Sequence, residues 1–245
     1  MNSEFQCALL KFFSEVLDKS DAKYFTKYHK DFRLNHQERT EISVQKCDIL
    51  QKLSKSCPNE VNEEIVKYYL EILDSNQFSQ KVNLKILESI LQNQNTNFAN
   101  ENILKLLESN PDQIVPLIIQ NARNIPKTLD SNILEKCCEM SFTFCDISTQ
   151  FHNILYILCH NSDIKSSPYI LEKILQDVPE ENVTQYCDLL LLTGVKIFAK
   201  SPAETQHILG QIFEISIQNG LKEKVEFYSK VLKNHSDLYL EIISK

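Results

Sequence analysis

The sequence predicts an all-α fold of antiparallel helix pairs, and three observations carry that expectation. Glycine occurs only 3 times in 245 residues, whereas sheet-rich and α/β folds draw on glycine for tight turns, bulges and phosphate loops. Apolar residues recur at helical spacing along almost the whole chain. Between those stripes stand Asn, Ser and Pro turns, with a capping-type side chain directly before proline at Asn110-Pro111, Ser167-Pro168 and Ser201-Pro202. The content of 42 % hydrophobic and 24 % charged residues is that of a globular chain with a real core.

In chain order, Phe5, Leu9, Leu10 and Phe13 open the first helix. Lys19, Lys23, Lys27 and Lys30 follow at i, i+4, i+8 and i+11, a basic stripe if that helix continues, with His29 and Arg33 nearby. Such a stripe suits phosphate or an acidic partner. Asp18, Asp21 and Asp31 lie among these lysines, so the run also reads as an ordinary solvated face. Ile65, Tyr69 and Leu73 beside Val66 and Leu70 make the next stripe, and residues 92–97 form a polar linker. Phe151, Ile154, Leu155, Leu158 and Cys159 mark a later helix, and Leu171, Ile174, Leu175 and Val178 repeat the pattern.

Residues 189–198 are apolar nearly all round, which predicts an inner helix covered on several sides. Ser201-Pro202-Ala203-Glu204 has the capping-box pattern, in which Ser201 accepts from the N3 amide while Glu204 reaches back to the Ser201 amide. A helix is therefore expected to start at Pro202. Leu221, Val225, Tyr228 and Leu232 make the last clear stripe. The total is roughly a dozen helices. The proline-marked starts at Pro168 and Pro202 stand 34 residues apart, not far from the period of two-helix HEAT or armadillo units. The expected architecture is a single HEAT/armadillo-like α-solenoid over residues 1–245, with no composition shift marking a second domain. Leu238, Leu240, Ile242 and Ile243 make the far end as apolar as the first helix, so both ends are expected to pack against something or to continue an array.

The chemistry-bearing residues are sparse. The net charge of −7 disfavours nucleic acid or anionic membrane as a whole-surface partner. No phosphate-loop pattern exists, and three glycines could not build one. The 8 cysteines form no C-x-x-C pair, which fits buried thiols in a reducing compartment. Cys137, Cys138, Cys145, Cys159 and His160 come nearest to a metal set, but Cys138 and Cys145, seven apart on one helical face, serve as well as small core residues. Glu63, Glu64, Asp112, Glu180 and Glu181 fall at helix starts, where they complement the helix dipole. No catalytic set, metal or cofactor is expected. Residues 1–10 carry Glu4 and no basic n-region, so they do not read as a secretory signal, and the cytosol is the expected compartment. The triplets at Asn182 and at Asn234-His235-Ser236 then have no glycosylation role.

The run from Leu191 to Gln206 resembles the β-adaptins, the large β subunits of adaptor-protein complexes. That family has a leucine-rich helix followed by a Pro-x-Glu-Thr/Cys-Gln helix start, matched here by Pro202-Ala203-Glu204-Thr205-Gln206 after Ser201. The Pro-Ala-Glu-x-Gln form, with Leu209-Gly210 after it, is most similar to the fourth adaptor type. Lys46-Cys47-Asp48-Ile49 resembles the family's Lys-Leu-Asp-Ile helix, and Lys23-Tyr24-Phe25-Thr26-Lys27-Tyr28 its aromatic-lysine segment. Tyr156-Ile157-Leu158 and the run 227–232 match more loosely; Cys159 and His160 replace a Gly-Glu, and the Arg-Asp-Arg lead-in is missing.

The resemblance implies the C-terminal half of an adaptin trunk. It implies a scaffold bound to the medium subunit and the second large subunit of an adaptor complex. It further implies a cytoplasmic location on Golgi, endosomal or plasma-membrane coats, with the membrane reached only through the complex. The resemblance does not cover the family's N-terminal trunk repeats, hinge and appendage, so it implies neither docking through those repeats nor direct clathrin recruitment for a chain that is either a fragment or part of a reduced adaptor. A helical-repeat scaffold of nuclear-transport or phosphatase type would share the fold and bind other partners.

Overall fold

The computed structural model describes residues 3–19, 22–56, 59–75, 77–92, 96–124, 129–161 and 163–234. Among these residues every regular element is helical, as the glycine scarcity and the periodicity predict. The apolar residues 238–243, the His235-Ser236 part of the second triplet and positions 93–95 of the linker lie outside the described residues. The chain divides into two compact units, Met1–Leu129 and Asp130–Lys245.

The first unit comprises α1 (Ser3–Lys19), a 3₁₀ helix (Ala22–Phe32), α2 (Thr40–Ser56), α3 (Asn59–Ser75), α4 (Gln80–Leu91), α5 (Thr96–Ser109) and α6 (Pro111–Gln120). Helix α2 packs on α1 and α4, and α4 packs in turn on α6. On the other side of this layer α3 packs on α5, and the 3₁₀ helix lies on α2. Two layers of stacked helices result, consistent with a helical-repeat fold. Leu50, Leu53, Leu73, Ile86, Leu107 and Ile114 fill the space between them, each contributing about 1.5 to 3 kcal/mol by leaving water. Tyr69 is buried among them, and its hydroxyl donates to the Cys47 carbonyl at 3.2 Å. Under the 3₁₀ helix, Phe13 meets Phe25 edge-on at 5.4 Å and stacks on Phe32 at 5.1 Å, beside Leu10, Leu17, Ile42 and Ile49.

The second unit comprises α7 (Ser131–Phe144), α8 (Ile147–His160), α9 (Ser167–Asp177), α10 (Glu180–Thr184), α11 (Cys187–Lys200), α12 (Pro202–Gln218) and α13 (Lys222–Asn234). Here α8, α11 and α13 form one layer and α7, α9 and α12 the other. Helix α11 is the inner helix that its all-round apolar sequence predicts, with Leu190, Leu191, Val195 and Ile197 buried against α8, α9, α12 and α13.

The repeat is visible as a ladder of polar contacts between successive helices of one layer. In the first unit Lys52 Nζ meets Asp18 Oδ2 at 2.6 Å, and Gln51 Nε2 donates to Gln92 Oε1 at 2.8 Å. In the second, Thr193 Oγ1 donates to the Leu155 carbonyl at 3.3 Å, and Lys196 Nζ to the Cys159 carbonyl at 3.0 Å. Lys224 Nζ meets Asp188 Oδ1 at 2.6 Å one step further on. These partners lie 34 to 41 residues apart, a spacing near that of two-helix repeat units.

Helix starts agree with the sequence in position and differ in chemistry. Helices α6 and α12 begin at Pro111 and Pro202 as predicted, whereas α9 begins one residue early, with Ser166 at the N-cap and Pro168 second. Among the described residues neither Asn110 nor Ser201 makes a side-chain capping bond. Their ψ angles of 59° and 64° fall short of the extended backbone from which a capping oxygen reaches the first-turn amides. The Glu204 arm of the box is pre-empted too, because the Ser201 amide already donates to Ile197 at the end of α11. The Thr205 hydroxyl donates back to the Ser201 carbonyl at 2.6 Å, a bond that caps no first-turn amide. Side-chain caps form at Asp130, accepting from the Asn132 amide at 2.8 Å, and at Asp146, accepting from the Ser148 amide at 3.2 Å.

Candidate functional site

The basic run splits where the chain changes helix type. Helix α1 ends at Lys19, whose side chain lies outside the described residues, and the 3₁₀ helix follows from Ala22. A 3₁₀ helix turns about 120° per residue, so the four-residue step from Lys23 to Lys27 moves to another side. Three-residue steps stay on one side. Tyr24, Lys27 and Lys30 therefore form one row, which Arg33 continues just past the helix, its amide donating to the Lys30 carbonyl at 3.3 Å, while Lys23 shares a side with Thr26 and His29. The bonds along that second side agree: Thr26 Oγ1 donates to the Lys23 carbonyl at 2.9 Å, and His29 Nδ1 lies 2.9 Å from the Thr26 carbonyl. The stripe of Lys19, Lys23, Lys27 and Lys30 is thus replaced by a row that keeps Lys27 and Lys30 and adds Arg33.

Glu64 on α3 meets this row. Its Oε1 lies 3.0 Å from Lys30 Nζ and 3.5 Å from Arg33 Nη2, and its Oε2 lies 3.4 Å from His29 Nε2. The hydrogen bond from Lys30 and the Lys30 and His29 charges hold the Glu64 carboxyl below its usual value, against a smaller opposing effect of desolvation. Sequence reasoning assigned Glu64 to the helix dipole, but it stands past the first turn of α3 and serves as a carboxylate hub. Arg33 also lies over the Tyr68 ring at 5.1 Å, and the Tyr68 hydroxyl accepts from the Leu34 amide at 2.6 Å. Tyr24 and Tyr28 stay exposed, with Lys23 and Lys27 over their rings at 5.2 and 4.9 Å.

The 202–206 motif has two parts. Thr205 is buried with Ile208 and Leu209, while Pro202, Glu204 and Gln206 face outward, as does Ser201 in part. Behind it Gly194 permits close approach of α11 and α12: a Cβ there would stand 2.6 Å from Ile212 Cδ1.

The cysteine group does not converge. Cys137 and Cys138 are core residues whose thiols burial pushes far up. Cys145 is not on the α7 face with Cys138; it is the C-cap residue in extended conformation, half-buried, with its thiol pushed up by desolvation to about 11. Cys159 points inward, while His160 is exposed and stacks on Tyr156 at 4.1 Å. Among the described residues no group of three or more His, Cys, Asp and Glu side chains is placed to hold a metal ion.

Two further surface features complete the inventory. A shallow cleft of about 260 Å³ between α3 and α5 is lined by Leu70, Asp74, Asn102 and Lys105. On α8 and α11, His152 stacks on Tyr186 at 4.8 Å with Phe151 edge-on to the same ring at 5.3 Å. No helix among the described residues is long and apolar enough to cross a membrane. No family model matches the chain, and the comparison with curated proteins returns no match.

Proposed function

We propose that the chain is a scaffold subunit of a vesicle-coat adaptor complex, corresponding to the C-terminal half of a β-adaptin trunk. The observation that carries this reading is the Pro202-Ala203-Glu204-Thr205-Gln206 helix start, set directly after a leucine-rich inner helix. Stacked helix layers in each unit suit such a role, because they expose extended faces on which partner helices can lie. The partners are the medium subunit and the second large subunit of the complex, and the membrane is reached through them. The chain works in the cytoplasm on Golgi, endosomal or plasma-membrane coats. Its activity is binding by burial of helix faces, with no bond made or broken and no cofactor used. An obligate assembly of this kind needs about 2,000 Å² or more of buried surface, which several helices together supply.

A helical-repeat scaffold of nuclear-transport or phosphatase type fits the stacked layers equally well, and the 202–206 motif favours the adaptor. Co-expression with a medium subunit and a second large subunit from the same cells tests the choice. A stoichiometric complex that survives size-exclusion chromatography is the expected result. Separate elution of all three chains at micromolar concentration defeats the adaptor reading.

A further inference from the structure

We infer that the row Tyr24, Lys27, Lys30 and Arg33 docks an extended acidic segment of a partner protein, one that carries carboxylates on alternate residues. This inference goes beyond the adaptor reading and does not rest on it. It starts from the geometry of the two backbones. A 3₁₀ helix rises about 2.0 Å per residue, so side chains on one side recur about every 6 Å. An extended strand rises about 3.3 Å per residue, so its same-side residues recur about every 6.6 Å. Alternate carboxylates of such a strand can therefore meet Lys27, Lys30 and Arg33 in succession. An α-helical stripe steps unevenly by three and four residues, about 4.5 and 6 Å, and offers no such register.

The row is open to a ligand. Tyr24 is 68 % exposed, and the Lys30 and Arg33 side chains are 61 % and 51 % exposed. It also already holds one carboxylate, since a single oxygen of Glu64 sits within 3.5 Å of both Lys30 and Arg33. Glu64 thus shows that neighbouring cations of the row can share a carboxylate, and it competes with any carboxylate arriving from outside. Tyr24, one turn before Lys27, carries the Lys23 ammonium over one face of its ring and leaves the rest of this exposed ring to an apolar side chain flanking the acidic run.

Charge on the surroundings selects a peptide over a broad polyanion. Glu64 and the exposed Asp31 stand beside the row, and the chain as a whole carries −7. A membrane or a nucleic acid needs a wide positive field and would meet these carboxylates as well. A single extended strand meets the cations one at a time, and Glu64 is the carboxylate it must displace at Lys30 and Arg33.

Fluorescence anisotropy with the full chain at low salt tests the inference. The probes are a labelled Glu-Thr repeat peptide, an isomer with its glutamates clustered, and phosphatidylserine vesicles. The alternating peptide is expected to bind about threefold or more tighter than the clustered one, with affinity falling as salt rises. Lys27→Glu and Arg33→Glu should each weaken it, about threefold or more. Glu64→Gln should tighten it by removing the internal competitor, a gain that misfolding does not produce. Equal affinity for the two peptides, no effect of Lys27→Glu, or weaker binding by Glu64→Gln overturns the inference. So does capture of the vesicles without binding of either peptide.

Discussion

Lys46 is only 8 % exposed, and its ammonium is held by Glu38 Oε1 at 2.6 Å and the Arg33 carbonyl at 3.0 Å. These two bonds tie the segment after the 3₁₀ helix down onto α2. Glu38 Oε2 is buried without a hydrogen-bond partner among the described residues, so Lys46 is the cation that offsets the buried carboxylate. Lys46→Met should cost about 2 to 3 kcal/mol, read as a lower denaturant midpoint with unchanged slope. Glu64 makes a different prediction because two of its partners, Lys30 and Arg33, are solvent-facing. Its folded pKa lies below the ordinary 4.5, so its contribution is full above that value and is lost as the pH falls through the lowered one. The stability difference between the native chain and Glu64→Gln should be present at neutral pH and vanish in acid. A difference that persists unchanged in acid would mean that Glu64 acts through packing.

At the scale of elements, the helix ends give a paired test. Asp130→Ala and Asp146→Ala remove side-chain caps seen at α7 and α8 and should each cost about 1 kcal/mol. Ser201→Ala should cost less than about 0.5 kcal/mol, because the Ser201 side chain does not cap α12. Thermal unfolding of the three variants distinguishes the observed caps from the one that the sequence pattern suggests. The two helical glycines form a second pair. Gly194→Ala pushes a methyl toward Ile212 in a packed interface and should destabilise by about 1 kcal/mol, whereas Gly210→Ala meets open space and should stabilise by up to about 1 kcal/mol.

The same elements show what the sequence could and could not tell. Apolar stripes such as Phe151 to Cys159 and Ile65 to Leu73 marked helices and their buried faces, because burial selects side chains at the helical period. The position of the α12 start was legible from Pro202, since proline is at home in a first turn. Its capping chemistry was not, because whether Ser201 points at the first turn depends on a backbone ψ set by α11 packing behind it. The basic run was legible as cations but not as a row. A lysine spacing of four suits an α-helix, and nothing local announces that residues 22–32 wind with three per turn around the Phe13, Phe25 and Phe32 cluster. Glu64 was visible only as a carboxylate near a helix start, since its partners lie 31 to 35 residues away in sequence.

For the molecule as a whole, the period carries the most information. Contacts such as Lys52 with Asp18 and Lys224 with Asp188 join neighbouring helices of one layer, and each unit is built of layers that bury apolar faces by stacking. Such a fold presents extended helix faces on which partner helices can lie. Phe5, Leu9 and Phe12, spaced i, i+4, i+7 on α1, are 60, 49 and 64 % exposed, a further apolar face in the first unit.

The adaptor proposal is tested most directly by affinity purification of this chain from its native cells, with mass spectrometry of the stoichiometric partners. The account predicts recovery of a medium subunit, a small subunit and a second large adaptin in equal amounts. Stoichiometric recovery of transport receptors or phosphatase subunits in their place would contradict it.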